Sequence, residues 1–158
     1  RRYSVPAACY QHRVPFTVHP GIGYDIIVNH PTYSGAAVGR GAETDVRVFA
    51  RSVCDLSGGA YLSVGSAIMS PQIFEKAYSV ANNLRHQEGK PFLSDHTLAV
   101  VDLQDGGNWD WRNGEPPKDN PAYYLRFCKS FSRMGGEMLY LQGDHSTVLA
   151  NLIDRLRG

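Results

Sequence analysis

Twice in this chain a short apolar run ends in glycine and a polar residue, then passes into a helical pattern. The first run is Tyr61-Leu62-Ser63-Val64-Gly65-Ser66, with a helix opening near Pro71. The second is Met138-Leu139-Tyr140-Leu141-Gln142-Gly143-Asp144-His145-Ser146, with a closing helix behind it. A strand that feeds a helix in this way must find its next partner in parallel, across a crossover, so the pattern restricts the chain to an α/β sheet. The carboxyl edge of such a sheet is its binding edge. Glycine there lets a ligand approach the backbone, and the unpaired N–H groups of a helix start attract anions.

The remaining elements follow from periodicity and punctuation. Val14-Pro15-Phe16-Thr17-Val18 is rich in β-forming residues and ends at the turn signal His19-Pro20-Gly21. Residues 19–35 read mostly as loop. Glu43 to Leu56 reads as a helix with Val46, Phe49, Val53 and Leu56 on one face, stopped by Gly58-Gly59. Ser70-Pro71 is a helix-start signal for a helix running to about Glu88. Residues 97–103 form a buried strand, and residues 104–120 a long Gly/Pro-rich loop of the kind that is usually functional. Asp119-Asn120-Pro121 opens a further helix, ended by Gly135-Gly136. The predicted order is β, α, β, α, β, loop, α, β, α, in one α/β domain spanning 1–158.

Several residues carry possible chemistry, each beside a plainer reading. Asp144 can take a ribose hydroxyl, or it can simply cap the last helix. Loop 104–120 sets Asp105, Asp110, Glu115 and Asp119 around Trp109 and Trp111. That mixture suits a cationic ligand, or it is a loop whose acids face water while its tryptophans pin it down. Lys129, in Phe127-Cys128-Lys129-Ser130, can form an imine with a carbonyl if it loses its proton, or it can be a solvent-facing helix lysine. The six histidines, with Asp25 and Asp95 as helpers, invite a metal-assisted hydrolase, but no pair has the i, i+4 spacing of a zincin, so no metal ligands are assigned. Ser63 and Ser66 near Gly65 do not form a GxSxG elbow.

The net charge of +1 gives no basic field for nucleic acid. No apolar run reaches the roughly 18 residues of a membrane span. Three scattered cysteines, Cys9, Cys54 and Cys128, fit a reduced, cytoplasmic protein better than a disulfide scaffold. Arg1-Arg2-Tyr3-Ser4-Val5-Pro6 reads like the interior of a longer protein.

Taken in order, these blocks resemble the deoxyhypusine synthase family, in its divergent bacterial deoxyhypusine synthase-like branch. The likeness runs from about Val14 to Leu156 and covers only the carboxyl-terminal half of the family's fold. It is carried by Val14-Pro15-Phe16 through Gly21-Ile22-Gly23-Tyr24-Asp25, by Gly58 to Ser66, by Leu98 to Gly107, by Phe127 to Ser130, and by Tyr140 to Ser146. The resemblance implies a Rossmann-like, mostly parallel sheet flanked by helices, incomplete without an amino-terminal half. It implies NAD as cofactor, contacted by Gly65, Ser66, Asp105 and Asp144. It implies transfer of an aminobutyl group from spermidine to an amine or protein lysine. Asp25 would hold an amine of the polyamine, Phe127 would pack on its carbon chain, and Lys129 would form the imine. Where the family has an acid shortly before this lysine the chain has Tyr123, and Glu115 or Asp110 would substitute. Where the family has a histidine base the chain has Ile68-Met69-Ser70. Those two departures also open a different class of function, a non-catalytic NAD-binding or structural paralogue within an oligomer. Family sites lie between subunits, so the resemblance implies a homo-oligomer or a complex with a separate amino-terminal chain.

Overall fold

The computed structural model describes residues 3–158; Arg1 and Arg2, the first residues of the abrupt opening, lie outside them. The chain divides into two compact units, residues 1–53 and 54–158.

In the first unit, α1 (Val5–His12) is capped by Ser4, whose Oγ accepts from the Ala7 N–H at 3.3 Å, with Pro6 in its first turn. A 3₁₀ turn covers Ile26–Asn29, and α2 runs from Gly35 to Cys54. Two expectations fail here. Residues 14–18 form no strand: Pro15 has no N–H to give a ladder, and the Val18 N–H donates to the Asp45 carboxylate at 2.8 Å. The helix expected from Glu43 starts two turns earlier. Gly39 and Gly41 disguise those turns, because glycine is a poor helix former, while Ser34 Oγ accepts from the Ala37 N–H at their start.

The second unit is an α/β layer. Its parallel strands are β1 (Ala60–Val64), β2 (Thr97–Asp102) and β3 (Glu137–Gln142), in spatial order β1-β2-β3. Between them lie α3 (Met69–Gln87) and α4 (Arg126–Ser132), and α5 (His145–Arg157) follows β3. The register sets Tyr61, Leu98 and Met138 in one row and Ser63, Val100 and Tyr140 in another on the same face. That face carries α3 and α4. The Tyr61 ring lies 4.5 Å from Phe74 and 5.9 Å from Phe131, and Phe127 lies 6.3 Å from Tyr140. Phe74, Ala81, Leu98, Cys128 and Phe131 are sealed from solvent. Each large side chain buried there contributes about 1.5–3 kcal/mol.

The opposite face carries α5 and is incompletely covered. Leu62, Ala99, Leu139 and Leu141 line an apolar trough of about 590 Å³ with Val148 and Leu152 of α5, and Leu62 and Leu141 keep 41% and 51% exposure. Loop 104–120 is more ordered than its composition suggests, with a 3₁₀ turn at Trp111–Asn113. The helix expected from Pro121 is broken in two, a 3₁₀ turn Pro121–Tyr124 and then α4, because Leu125 leaves the helical region (φ −77°, ψ 80°). Among the described residues no helix is long and apolar enough to cross a membrane.

Candidate functional site

The three strand ends on the carboxyl edge carry most of the residues the sequence singles out. Gly65 follows β1 with φ +67°, a conformation that any side chain strains. Its N–H continues the ladder by donating to the Val101 carbonyl at 3.0 Å. Gly143 does the same after β3, donating to the Asp102 carbonyl at 3.0 Å. Neither glycine therefore offers its own N–H to a ligand. What Gly65 offers is space, and that space is taken by the His145 ring: a Cβ on Gly65 would stand 2.8 Å from His145 Cε1 and 3.1 Å from Nδ1. The β1–α3 and β3–α5 junctions, which flank β2, thus meet at one point. His145 Nε2 is shut off from solvent there and has no hydrogen-bond partner among the described residues.

Ser66 lies just ahead of α3 and accepts from the Ser70 N–H at 3.0 Å. Ser70 Oγ in turn contacts Tyr61 Oη and Ser63 Oγ, each at 2.8 Å, and burial pushes the Tyr61 phenol above its usual range. Asp144 is the N-cap of α5. Its Oδ1 accepts from the Thr147 N–H at 2.8 Å and the Thr147 hydroxyl at 2.9 Å, and these bonds hold the exposed carboxylate below the ordinary aspartate range.

At the end of β2, Asp102 is buried and accepts from the Gln104 N–H at 3.1 Å. The Gln104 carbonyl accepts from Tyr140 Oη at 2.6 Å. Desolvation, followed by the neighbouring Cys128 and Asp102, pushes the Tyr140 phenol up. Asp105, three residues past the strand, is exposed and accepts from the Gly107 N–H at 2.9 Å.

A second cluster forms around α4. Lys129 Nζ lies 3.6 Å from the centre of the Tyr123 ring and 3.7 Å from Glu115 Oε1. The Lys129 side chain is 17% exposed. Glu115 also accepts from Arg133, and that bond, more than Lys129, lowers its carboxyl pKa. The loop acid and the aromatic residue near the lysine thus converge on the ammonium, one by charge and the other by its π-face. Phe127 beside them is buried. Asp110 and the tryptophans serve the loop's own shape. Asp110 pairs with Arg112, Trp109 Nε1 donates to the Gly114 carbonyl at 2.9 Å, and Trp111 is buried.

The fold brings Gly65 and Ser66 to the same edge as Asp105 and Asp144. It gathers Lys129, Glu115 and Tyr123 separately: among the described residues no hydrogen bond or ion pair joins Lys129 to Gly65, Ser66, Asp105 or Asp144. Asp25 belongs to the first unit, where its carboxylate accepts from the Gly21 N–H. Among the described residues no three His, Cys, Asp or Glu side chains gather closely enough to hold a metal ion. Sequence reasoning missed His145 as a neighbour of Gly65; its only signal was its position directly after Gly143-Asp144. No family model, curated protein or solved structure matches the chain.

Proposed function

We infer that this chain binds NAD in a Rossmann-like crevice at the carboxyl end of β1 and works as a deoxyhypusine synthase-like enzyme. The reaction would be NAD-dependent transfer of an aminobutyl group from spermidine to an amine or protein lysine. One observation carries the reading. α3 and α4 lie on one face of the sheet and α5 on the other, and the passage between faces brings His145 onto Gly65. Open α/β sheets bind their ligands outside the carboxyl ends of their strands, and this contact lies on that edge. The polar groups at that edge suit a dinucleotide. Ser66 can donate its hydroxyl proton to a phosphate oxygen, and the ionised carboxylates of Asp105 and Asp144 can accept from ribose hydroxyls. NAD, when bound, would supply reversible hydride transfer, taking a hydride from the polyamine and giving it back to the transferred aminobutyl group, so that the transfer is redox-neutral and the diamine remainder of spermidine is released.

The chain's own residues would do the rest. Glu115 would hold an ammonium group of spermidine, and Phe127 would lie against its carbon chain. Lys129 would act as a nucleophile once it left its carboxylate and aromatic partners and gave up a proton. An oligomeric partner, a second copy or a separate amino-terminal chain, would cover Leu62, Leu139 and Leu141, and the assembly would work in the cytoplasm.

A second reading has its own support. Lys129 is engaged by Glu115 and Tyr123, an arrangement that suits a structural cation and a chain that binds NAD without reacting. Incubation with NAD and spermidine, borohydride reduction and peptide mapping separate the two. A borohydride-trapped adduct on Lys129 that Lys129→Arg abolishes supports the transferase. NAD binding by calorimetry with no adduct supports the binding protein. Absence of NAD binding sinks both.

A further inference from the structure

The His145 contact with Gly65 has features that internal packing alone does not account for. A buried ring nitrogen with no partner costs about 1–3 kcal/mol, and native chains keep few of them. The hydroxyls nearest in the chain to Gly65 are bonded elsewhere: Ser63 and Tyr61 meet Ser70, and Ser66 accepts from the Ser70 N–H. The Asp144 carboxylate, next to His145 in sequence, is held by Thr147.

The obstruction over Gly65 is also of an unusual kind. All three atoms nearest to a Cβ built there belong to the His145 ring, and none is backbone. A half-buried side chain on the first residue of a helix leaves such a place by rotating about its own χ1. It would then uncover a stretch of bare glycine backbone at the strand end.

We propose that His145 is both gate and ligand contact of this crevice. Its imidazole closes the space over Gly65, rotates away to admit a phosphate-bearing ligand, and donates Nε2–H to a phosphate oxygen of that ligand. A neutral imidazole has one N–H donor and an imidazolium two, so the bond forms in either state, given the Nε2–H tautomer in the neutral one. The ligand gains a donor, and the nitrogen gains the acceptor that the chain does not provide. The identity of the ligand as a dinucleotide rests on the NAD reading above; the role of His145 needs only a phosphate.

Long-range ¹⁵N–¹H spectra of the histidine rings test this on the unaltered protein, titrated with NAD and separately with inorganic pyrophosphate. The expected result is a shift of the His145 Nε2 resonance, assigned by its absence in His145→Ala. With it should come a loss of at least tenfold in affinity in His145→Ala and partial recovery in His145→Gln, which keeps a side-chain donor. If the alanine variant fails to fold, the glutamine variant serves for assignment and the titration of the wild-type protein decides. NAD binding with a motionless His145 resonance overturns the proposal and leaves the NAD reading standing. A shift with pyrophosphate but no binding of NAD upholds His145 and removes the NAD reading. Silence of His145 toward both probes overturns the proposal.

Discussion

The same pair of residue types, a positive-φ glycine against a histidine, occurs at both ends of the three strands. At the amino edge, His96 precedes β2 and Gly136 precedes β3. At the carboxyl edge, Gly65 follows β1 and His145 follows β3. The difference lies in what fills the space a Cβ would need. On Gly136 (φ +71°) a Cβ would fall 2.2 Å from the His96 carbonyl oxygen, which already accepts the Glu137 N–H at 2.9 Å. On Gly65 the three atoms nearest to it all belong to a side-chain ring. Backbone bound into a sheet cannot step aside, and a histidine ring can. The amino edge is therefore a closed joint, and the carboxyl edge a joint that can open.

Breaking the closed joint should have the largest effect. Gly136→Ala combines left-handed strain with a collision against ladder backbone, and we expect it to cost more than ~3 kcal/mol. Urea denaturation at neutral pH checks it. A loss no greater than that of Gly65→Ala would remove the distinction between the two ends.

The closed joint also predicts a pH dependence. His96 is 1% exposed, and Phe74 and Tyr78 lie 6.0 and 5.9 Å away. Burial pushes its pKa below the ordinary histidine value of 6.5, against smaller opposing pulls from Asp95 and from a hydrogen bond with the Met134 backbone. The folded chain therefore refuses a proton that the unfolded chain accepts. Stability is complete above the ordinary value and falls as pH drops through it. His96→Phe, of similar shape and without the proton, should flatten the decline in urea midpoint between pH 7 and 5. That window lies above the range in which Asp144 and Glu115, whose pKa values are lowered, begin to matter. An unchanged slope in the variant would assign the decline to other groups.

The two joints also mark what could be read from the sequence. β1, β2, β3, α3 and α5 were legible because each is a short apolar run or an amphipathic period punctuated by glycine, and local residues suffice to specify them. The placement of Gly65, Ser66, Asp105 and Asp144 on one edge follows from the same alternation. What failed was either disguised or isolated. Gly39 and Gly41 hid the first turns of α2, and the β-rich run at Val14–Val18 had no neighbouring strand to pair with. Contacts between distant segments were out of reach of local pattern. Nothing local in Gly65 announces His145, and Glu115 beside Lys129 was suggested only by the resemblance and only as one of two acids, because both contacts depend on how loops return to the sheet.

Gly65→Ala should have the smallest effect on stability and the sharpest consequence for the site. Its left-handed backbone makes any Cβ cost about 1–2 kcal/mol, and the collision with the His145 ring is relieved by rotating that ring off the glycine. Adding His145→Ala should then recover little stability, because only the steric part is removed and the backbone strain remains. A double-mutant cycle by urea denaturation reads this directly. A coupling near zero means that the ring leaves freely, as a gate must. A coupling as large as the whole cost of Gly65→Ala means that the ring is as fixed as the carbonyl beside Gly136. In that case the carboxyl edge is a second closed joint, and a ligand would have to enter elsewhere.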